Sequence, residues 1–240
     1  MGLENERRRK MKRIALFTLS VLLALSLGLV STTWGNDDKT LTTLTEVESD
    51  GIKRTMTVRN EMGELSANTF IIGDSASTLI ISSIDQLYPL FLWLDLQILK
   101  TRGIKNIHVY IDSGGGNVFS GLSYASQLMA AWPDFNITTY AMGSVASAAI
   151  PIFLAGEHRI ASANTLFMIH KGALRKPPTI ETQADLKSQT EMMDLIENNY
   201  NNILTQRSSL TKEELIEKAE KSTWFTAQQA KEWGMVEEIR

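Results

Sequence analysis

Four short apolar runs rich in β-branched and aromatic residues recur along the chain, at 69–72, 107–111, 137–141 and 165–169. Each is bounded by Gly, Ser, Asp or Asn and is too short for a helix, so each predicts a buried strand. Between them lie longer segments whose apolar positions recur three and four residues apart, at 83–101, 118–132 and 146–154. That spacing predicts helices. Strand and helix in alternation imply an α/β fold with largely parallel pairing. Pro151 falls inside the third helix and costs a hydrogen bond there unless it occupies the first turn.

After the Pro177-Pro178 break, apolar positions Leu186, Met193, Ile196, Tyr200, Ile203 and Leu204 form a stripe, which predicts one long amphipathic helix over about 179–207. Thr211, with Glu214 three residues on, has the form of a capping box opening a further helix. The pattern is different near the start. Residues 36–64 are polar, rich in Thr, Glu and Asp, and read as a mobile leader. Upstream, Arg7, Arg8, Arg9, Lys10, Lys12 and Arg13 run into residues 14–30, which carry no charge, and then into a polar segment. This is the grammar of an export signal, with the basic block held in the cytoplasm and the remainder crossing the membrane. The expected organisation is therefore a signal peptide or membrane anchor at 1–33, a polar leader at 34–64 and one domain at 65–240. The expected location is the periplasm or cell envelope of a bacterium, with 14–30 contacting the membrane.

Composition narrows the chemistry. A net charge of −3 contains that basic N-terminal block, and without it acidic side chains outnumber basic ones. Such a domain has no basic face for phosphate contacts, so nucleic acid is not an expected partner. Cysteine is absent, which excludes thiol catalysis, thiolate metal sites and disulfides. No metal or cofactor is expected.

Two junctions follow predicted strands, at the sheet edge where open α/β folds place ligands. The first is Asp112-Ser113-Gly114-Gly115-Gly116, whose glycines permit a tight turn or a close approach to something bound. The second is Met142-Gly143-Ser144-Val145-Ala146-Ser147-Ala148, a small-residue turn that sets Ser147 near a helix start, as a plain N-cap or as a nucleophile beside free N–H groups. A serine hydroxyl needs a base to react at neutral pH. Of His108, His158 and His170, the first falls inside a strand and the second in a polar turn, whereas His170 ends the strand at 165–169.

The ordered set of those two junctions, then Met168-Ile169-His170, then the segment 227–239, resembles the Clp protease proteolytic subunit over most of 69–239. The resemblance implies a Clp/crotonase-type fold of repeated β-β-α units. It places the nucleophile at Ser147, the base at His170 and the oxyanion donors at the backbone N–H groups of Gly115 and Ala148. It also implies a homo-oligomer built through the long helix, and a peptide or unfolded protein as substrate. Two positions depart from the family. Its third catalytic member, an aspartate, aligns near Ser222, and its loop proline aligns with Gly114.

Four functional readings follow. The first is a serine endopeptidase acting on exported, unfolded or membrane-associated proteins. The second is a catalytically weak or inactive Clp-like protein that binds peptides or oligomerises, motivated by Ser222. A Ser-Lys dyad using Lys171 or Lys187 is the third. Acyl-coenzyme A chemistry on the related crotonase fold is the fourth, and export counts against it because that cofactor is cytoplasmic. Export counts equally against the family's cytosolic ATPase partner.

Overall fold

A computed structural model describes residues 41–49, 52–60, 65–174 and 179–240, the hairpin residues by backbone alone. The basic block, the apolar run at 14–30 and the Pro177-Pro178 break lie outside the described residues. The chain divides into two units, Met1–Glu64 and Leu65–Arg240. In the first, β1 (Leu41–Ser49) and β2 (Ile52–Asn60) pair antiparallel with Ser49 opposite Ile52. This hairpin falls within the stretch expected as a polar leader. Its signal is present in the sequence, because Thr, Val and Leu alternate with polar residues on both sides of Asp50-Gly51, a strong hairpin dipeptide.

The second unit contains β3 (Thr69–Ile72), β4 (Ser75–Ile81), α1 (Leu87–Thr101), β5 (Asn106–Ser113), α2 (Val118–Ala131), β6 (Asn136–Ala146) and α3 (Ala149–Leu154). It continues with β7 (His158–Ala161), β8 (Leu166–Ile169), α4 (Gln183–Gln206), α5 (Lys212–Glu220), β9 (Thr223–Thr226), α6 (Ala227–Glu232) and β10 (Glu238–Ile239). One sheet runs in the order β10-β7-β6-β5-β4-β3, with β8 joined to β6 and β9 to β8. Pairing is parallel except for β3 against β4 and β9 against β8. The α/β class and largely parallel sheet therefore stand as expected.

The core follows from alternation. Ile107, Val109 and Ile111 of β5 and Ile137, Thr139 and Ala141 of β6 are buried, and Leu92, Leu96 and Leu99 of α1 with Tyr124, Ala125 and Leu128 of α2 pack against that layer. All six residues of α3 are buried, as an apolar sequence without a polar face requires. Pro151 is its third residue, in the first turn, so no helical bond is lost. Arg159 is buried too, and its guanidinium donates to the carbonyls of Met235, Gly156 and Gly234 while pairing with Glu237 at 2.7 Å.

Several boundaries differ from expectation for tertiary reasons. Helix α1 starts at Leu87 instead of 83, because Ile84 bridges to Gly116 through two backbone bonds, Ile84 N–H to Gly115 O and Asn117 N–H to Ile84 O, both 2.8 Å. Residues 142–146, expected as a turn, continue β6, since Ser144, Val145 and Ala146 pair with Leu166, Phe167 and Met168. His158 and Arg159, expected in a turn, open β7. Helix α4 begins at Gln183, where Thr182 and Asp185 form a capping box, and α5 carries the expected box of Thr211 and Glu214. In α4 the expected stripe is buried only at Ile196 and Leu204, and Leu186 is half exposed. Among the described residues no helix is long and apolar enough to cross a membrane.

Candidate active site

The site forms where the sheet changes partners. The first part of β6, Thr138 to Ala141, pairs with β7, and its last residues pair with β8. The change passes through Gly143, at φ +57, where a side chain would strike the Asp112 carboxylate at 2.6 Å. Asp112 accepts from the Ser144 N–H at 2.9 Å and so pins the irregularity. Ser147 then follows β6 directly, with φ +54, a left-handed conformation that non-glycine residues adopt only when their surroundings impose it. Here three bonds impose it. The Ser147 N–H donates to Met168 O at 2.9 Å, and its carbonyl accepts from the Ile150 N–H at 3.0 Å and the Tyr200 hydroxyl at 3.0 Å.

Small residues let two other segments close on this elbow. A methyl group on Gly115, itself at φ +98, would lie 2.7 Å from Ser147 Cβ, and one on Gly121 would lie 2.4 Å from Ala148 O. In the Gly121→Ala variant the backbone of Ala148 must shift, at a cost of about 1–3 kcal/mol. Because a displacement near 1 Å at reacting groups can cost about 10²-fold, labelling of Ser147 by a fluorophosphonate should slow far more than the fall in melting temperature accounts for. Labelling that falls only in step with stability would count against this packing role.

His170 immediately follows β8, and its Nε2 lies 2.8 Å from Ser147 Oγ. Both residues are partly exposed. The Lys171 N–H donates to Ala219 O at 3.2 Å, tying the chain beyond the imidazole to α5. Neither other histidine comes near. His108 lies beside Tyr140 Oη at 3.4 Å on β5, and His158 beside Glu237 at 3.6 Å on β7.

Ser147 and His170 open onto a cleft of about 390 Å³, whose walls include Phe119, Leu174, Met192, Met193, Ile196 and Tyr200. Most of these come from α4, which the sequence presents as a packing stripe alone. The expected oxyanion donors differ from each other. The Gly115 N–H donates to Ser113 Oγ at 3.1 Å, and that hydroxyl in turn donates to Ser82 O at 2.5 Å, whereas the Ala148 N–H has no backbone acceptor among the described residues. Ser113 has no signal of its own in the sequence beyond its place before the glycines. A serine hydroxyl bonded to an imidazole beside an apolar cleft is equipped for nucleophilic attack on an acyl carbon. Among the described residues no cluster of His, Asp and Glu could hold a metal.

Residues 76–240 match the Clp protease family. The chain belongs to the Clp protease family. It is 28% identical over 137 residues to the ATP-dependent Clp protease proteolytic subunit 3 of Rhodococcus jostii (strain RHA1), a match covering 56% of this chain and 65% of that one. Against proteolytic subunit 1 of Corynebacterium jeikeium (strain K411) the identity is 30% over 137 residues, covering 56% and 70%. Among solved structures, a mutant ClpP1 from Listeria monocytogenes superposes with a TM-score of 0.55 at 25% identity, covering 68% of this chain and 90% of that one. The fold is thus the Clp type, and the family is one of serine-type peptidases.

The position that the resemblance aligns with a catalytic acid can be placed in space. Ile169 pairs with Thr223 at the end of the antiparallel β8–β9 ladder, so His170 and Ser222 are the residues that lie directly beyond its last pair. Ser222 adopts φ +50 and its N–H donates to Ala219 O at 3.2 Å. Among the described residues the His170 ring makes its one hydrogen bond to Ser147, so Nδ1 has no acid against it. Glu220 is engaged instead by Lys171 Nζ at 3.3 Å, and Asp194 is exposed on α4. The two lysines of a Ser-Lys alternative are likewise occupied, Lys171 by Glu220 and Lys187 by Glu191 at 3.9 Å.

Proposed function

We propose that this Clp-family chain is a serine endopeptidase that hydrolyses unfolded or short peptide segments through Ser147 and His170. The 2.8 Å contact between Ser147 Oγ and His170 Nε2 at the mouth of an apolar cleft carries this reading. In it, the Oγ proton passes to Nε2 as Oγ bonds to the peptide carbonyl carbon. The resulting oxyanion takes the Ala148 N–H, and the Gly115 N–H once Ser113 Oγ yields it, each such donor being worth roughly 3 kcal/mol. The C–N bond then breaks and the leaving amine takes the proton from His170. Water, activated by the same ring, attacks the acyl-serine and restores the hydroxyl. The apolar walls favour substrates with a large apolar side chain before the scissile bond.

Two further parts of the proposal rest on other features. The relatives are named as proteolytic subunits, which supports a homo-oligomer. The basic block followed by residues 14–30 supports export, with the leader at 34–64 joining anchor or signal to the domain. The relatives are named ATP-dependent, yet an exported chain meets no ATP pool, so peptide hydrolysis here is proposed to run without an ATPase.

A second reading, a weak or inactive member that binds peptides, is favoured by one observation: no acid lies against Nδ1 among the described residues. The full chain incubated with a chemically unfolded protein and with fluorogenic peptides separates the two. Cleavage without ATP, inhibited by a fluorophosphonate, is the expected result. Binding of the same peptides with neither cleavage nor labelling of Ser147 would establish the second reading instead. Cell fractionation with N-terminal sequencing of the recovered protein tests export, and recovery in the cytosol would end that part of the proposal.

A further inference from the structure

The peptide group between Ser147 and Ala148 has two working ends. Its N–H is the donor beside the nucleophile that has no backbone acceptor among the described residues, and its oxygen is the Ser147 carbonyl, which receives the Tyr200 hydroxyl at 3.0 Å and the Ile150 N–H at 3.0 Å. A hydrogen bond to an amide oxygen draws electron density from nitrogen, making the N–H at the opposite end more positive and a stronger donor. It also fixes the orientation of the amide plane, and hence the direction in which the N–H points.

We propose that Tyr200 is a positioning residue for the oxyanion site, strengthening and aiming the Ala148 N–H through the amide it shares with Ser147. This inference rests on the reading of Ser147 as nucleophile. Four observations support it. Tyr200 lies on α4, 53 residues from Ser147 in sequence, so the contact is imposed by tertiary packing and ties the cleft wall to the elbow. The ring lines the cleft, a task a leucine or phenylalanine would fill without the hydroxyl. The residue as a whole is half-buried, but its phenol is desolvated, which holds it above its ordinary ionisation range, so it stays protonated as a donor. With Ser147 at φ +54 and Ala148 at φ −59 and ψ −13, the amide plane sits between a strained residue and a helical one, and a bond on its oxygen resists its rotation.

The test compares the full chain with Tyr200→Phe, which deletes only the hydroxyl, and with a form carrying fluorotyrosine at 200, a stronger donor of nearly the same size. Each is assayed for hydrolysis of a fluorogenic peptide, for inhibition by a peptide boronate, and for inhibition by the matching unreactive peptide amide. The boronate accepts an electron pair from Ser147 Oγ as its proton passes to His170, and the tetrahedral adduct places a boron-bound oxygen at the oxyanion site. Tyr200→Phe should lower kcat and boronate affinity together by about tenfold, as loss of one well-placed hydrogen bond implies, with KM and amide binding changed less than about twofold. Fluorotyrosine should raise both above wild type. If the Phe form is too unstable to assay, the fluorotyrosine comparison decides alone. Unchanged kcat and boronate affinity, or losses confined to KM and amide binding, would overturn the role of Tyr200 and leave the peptidase reading standing. A wild-type chain that neither hydrolyses peptide nor binds boronate would overturn both.

Discussion

Replacing Ser147 by Ala should abolish covalent labelling by fluorophosphonates and reduce peptide hydrolysis to the level left by binding alone. The labelling loss is complete because the probe reacts by forming an Oγ–P bond as fluoride leaves, and among the described residues of the cleft Ser147 is the hydroxyl bonded to an imidazole. The loss in kcat is expected to be smaller than in a peptidase with a full triad. Removal of the serine from an intact triad costs about 2 × 10⁶-fold, and removal of the acid alone about 3 × 10⁴-fold. Since no acid reaches His170 among the described residues, most of that drop is expected to be present already in the wild type. The remaining loss should be on the order of 10²-fold. His170→Ala should give a similar value, and the double variant should be no worse than either single one, because nucleophile and base act as a unit. Labelling that survives Ser147→Ala, located by mass spectrometry at another residue, would show that the nucleophile lies elsewhere.

The converse experiment supplies what the site lacks. Ser222→Asp is expected to raise kcat/KM by on the order of 10²-fold or more, because a carboxylate against Nδ1 would hold the imidazole in the tautomer that accepts the Oγ proton and would stabilise the imidazolium that forms. The backbone is already suitable. Ser222 stands at φ +50, a conformation aspartate tolerates better than most residues, and it lies directly beyond the last β8–β9 pair, as His170 does. A cost is foreseen as well. Position 222 follows the C-cap of α5 at Lys221, where a negative charge opposes the helix dipole by about 0.3–1 kcal/mol, so the melting temperature should fall slightly while activity rises. Ser222→Asn, with the same shape and no charge, should not reproduce the gain. If Ser222→Asp leaves kcat/KM unchanged while the protein stays folded, the ring is oriented by something other than position 222.

These expectations concentrate on features of unequal visibility in the sequence. The β-branched runs at 107–111 and 137–141 read as strands because their alternation is a local property of the pleat, and they are strands. The boxes at Thr211 with Glu214 and at Thr182 with Asp185 are local too, although only the first was legible, since the second sits beside the masking polarity of 179–182. Residues 142–146 were not legible as strand, because small residues have no strong local preference and their extension depends on β8 lying alongside.

The sequence by itself determined the α/β class and the order of the motifs, and through the resemblance those motifs carry it proposed the pair Ser147 and His170, because a nucleophile, a base and the glycines beside them must be specific residue types. By the same resemblance it puts Ser222, a residue that cannot act as an acid, where the family carries an aspartate. Only the tertiary structure decided that Ser147 Oγ and His170 Nε2 meet at 2.8 Å, that Ser113 occupies the Gly115 N–H, and that Tyr200 reaches the Ser147 carbonyl. Those contacts join residues on different elements, and hydrogen-bond partners across such separations are chosen by how the helices and strands pack, which no local periodicity encodes.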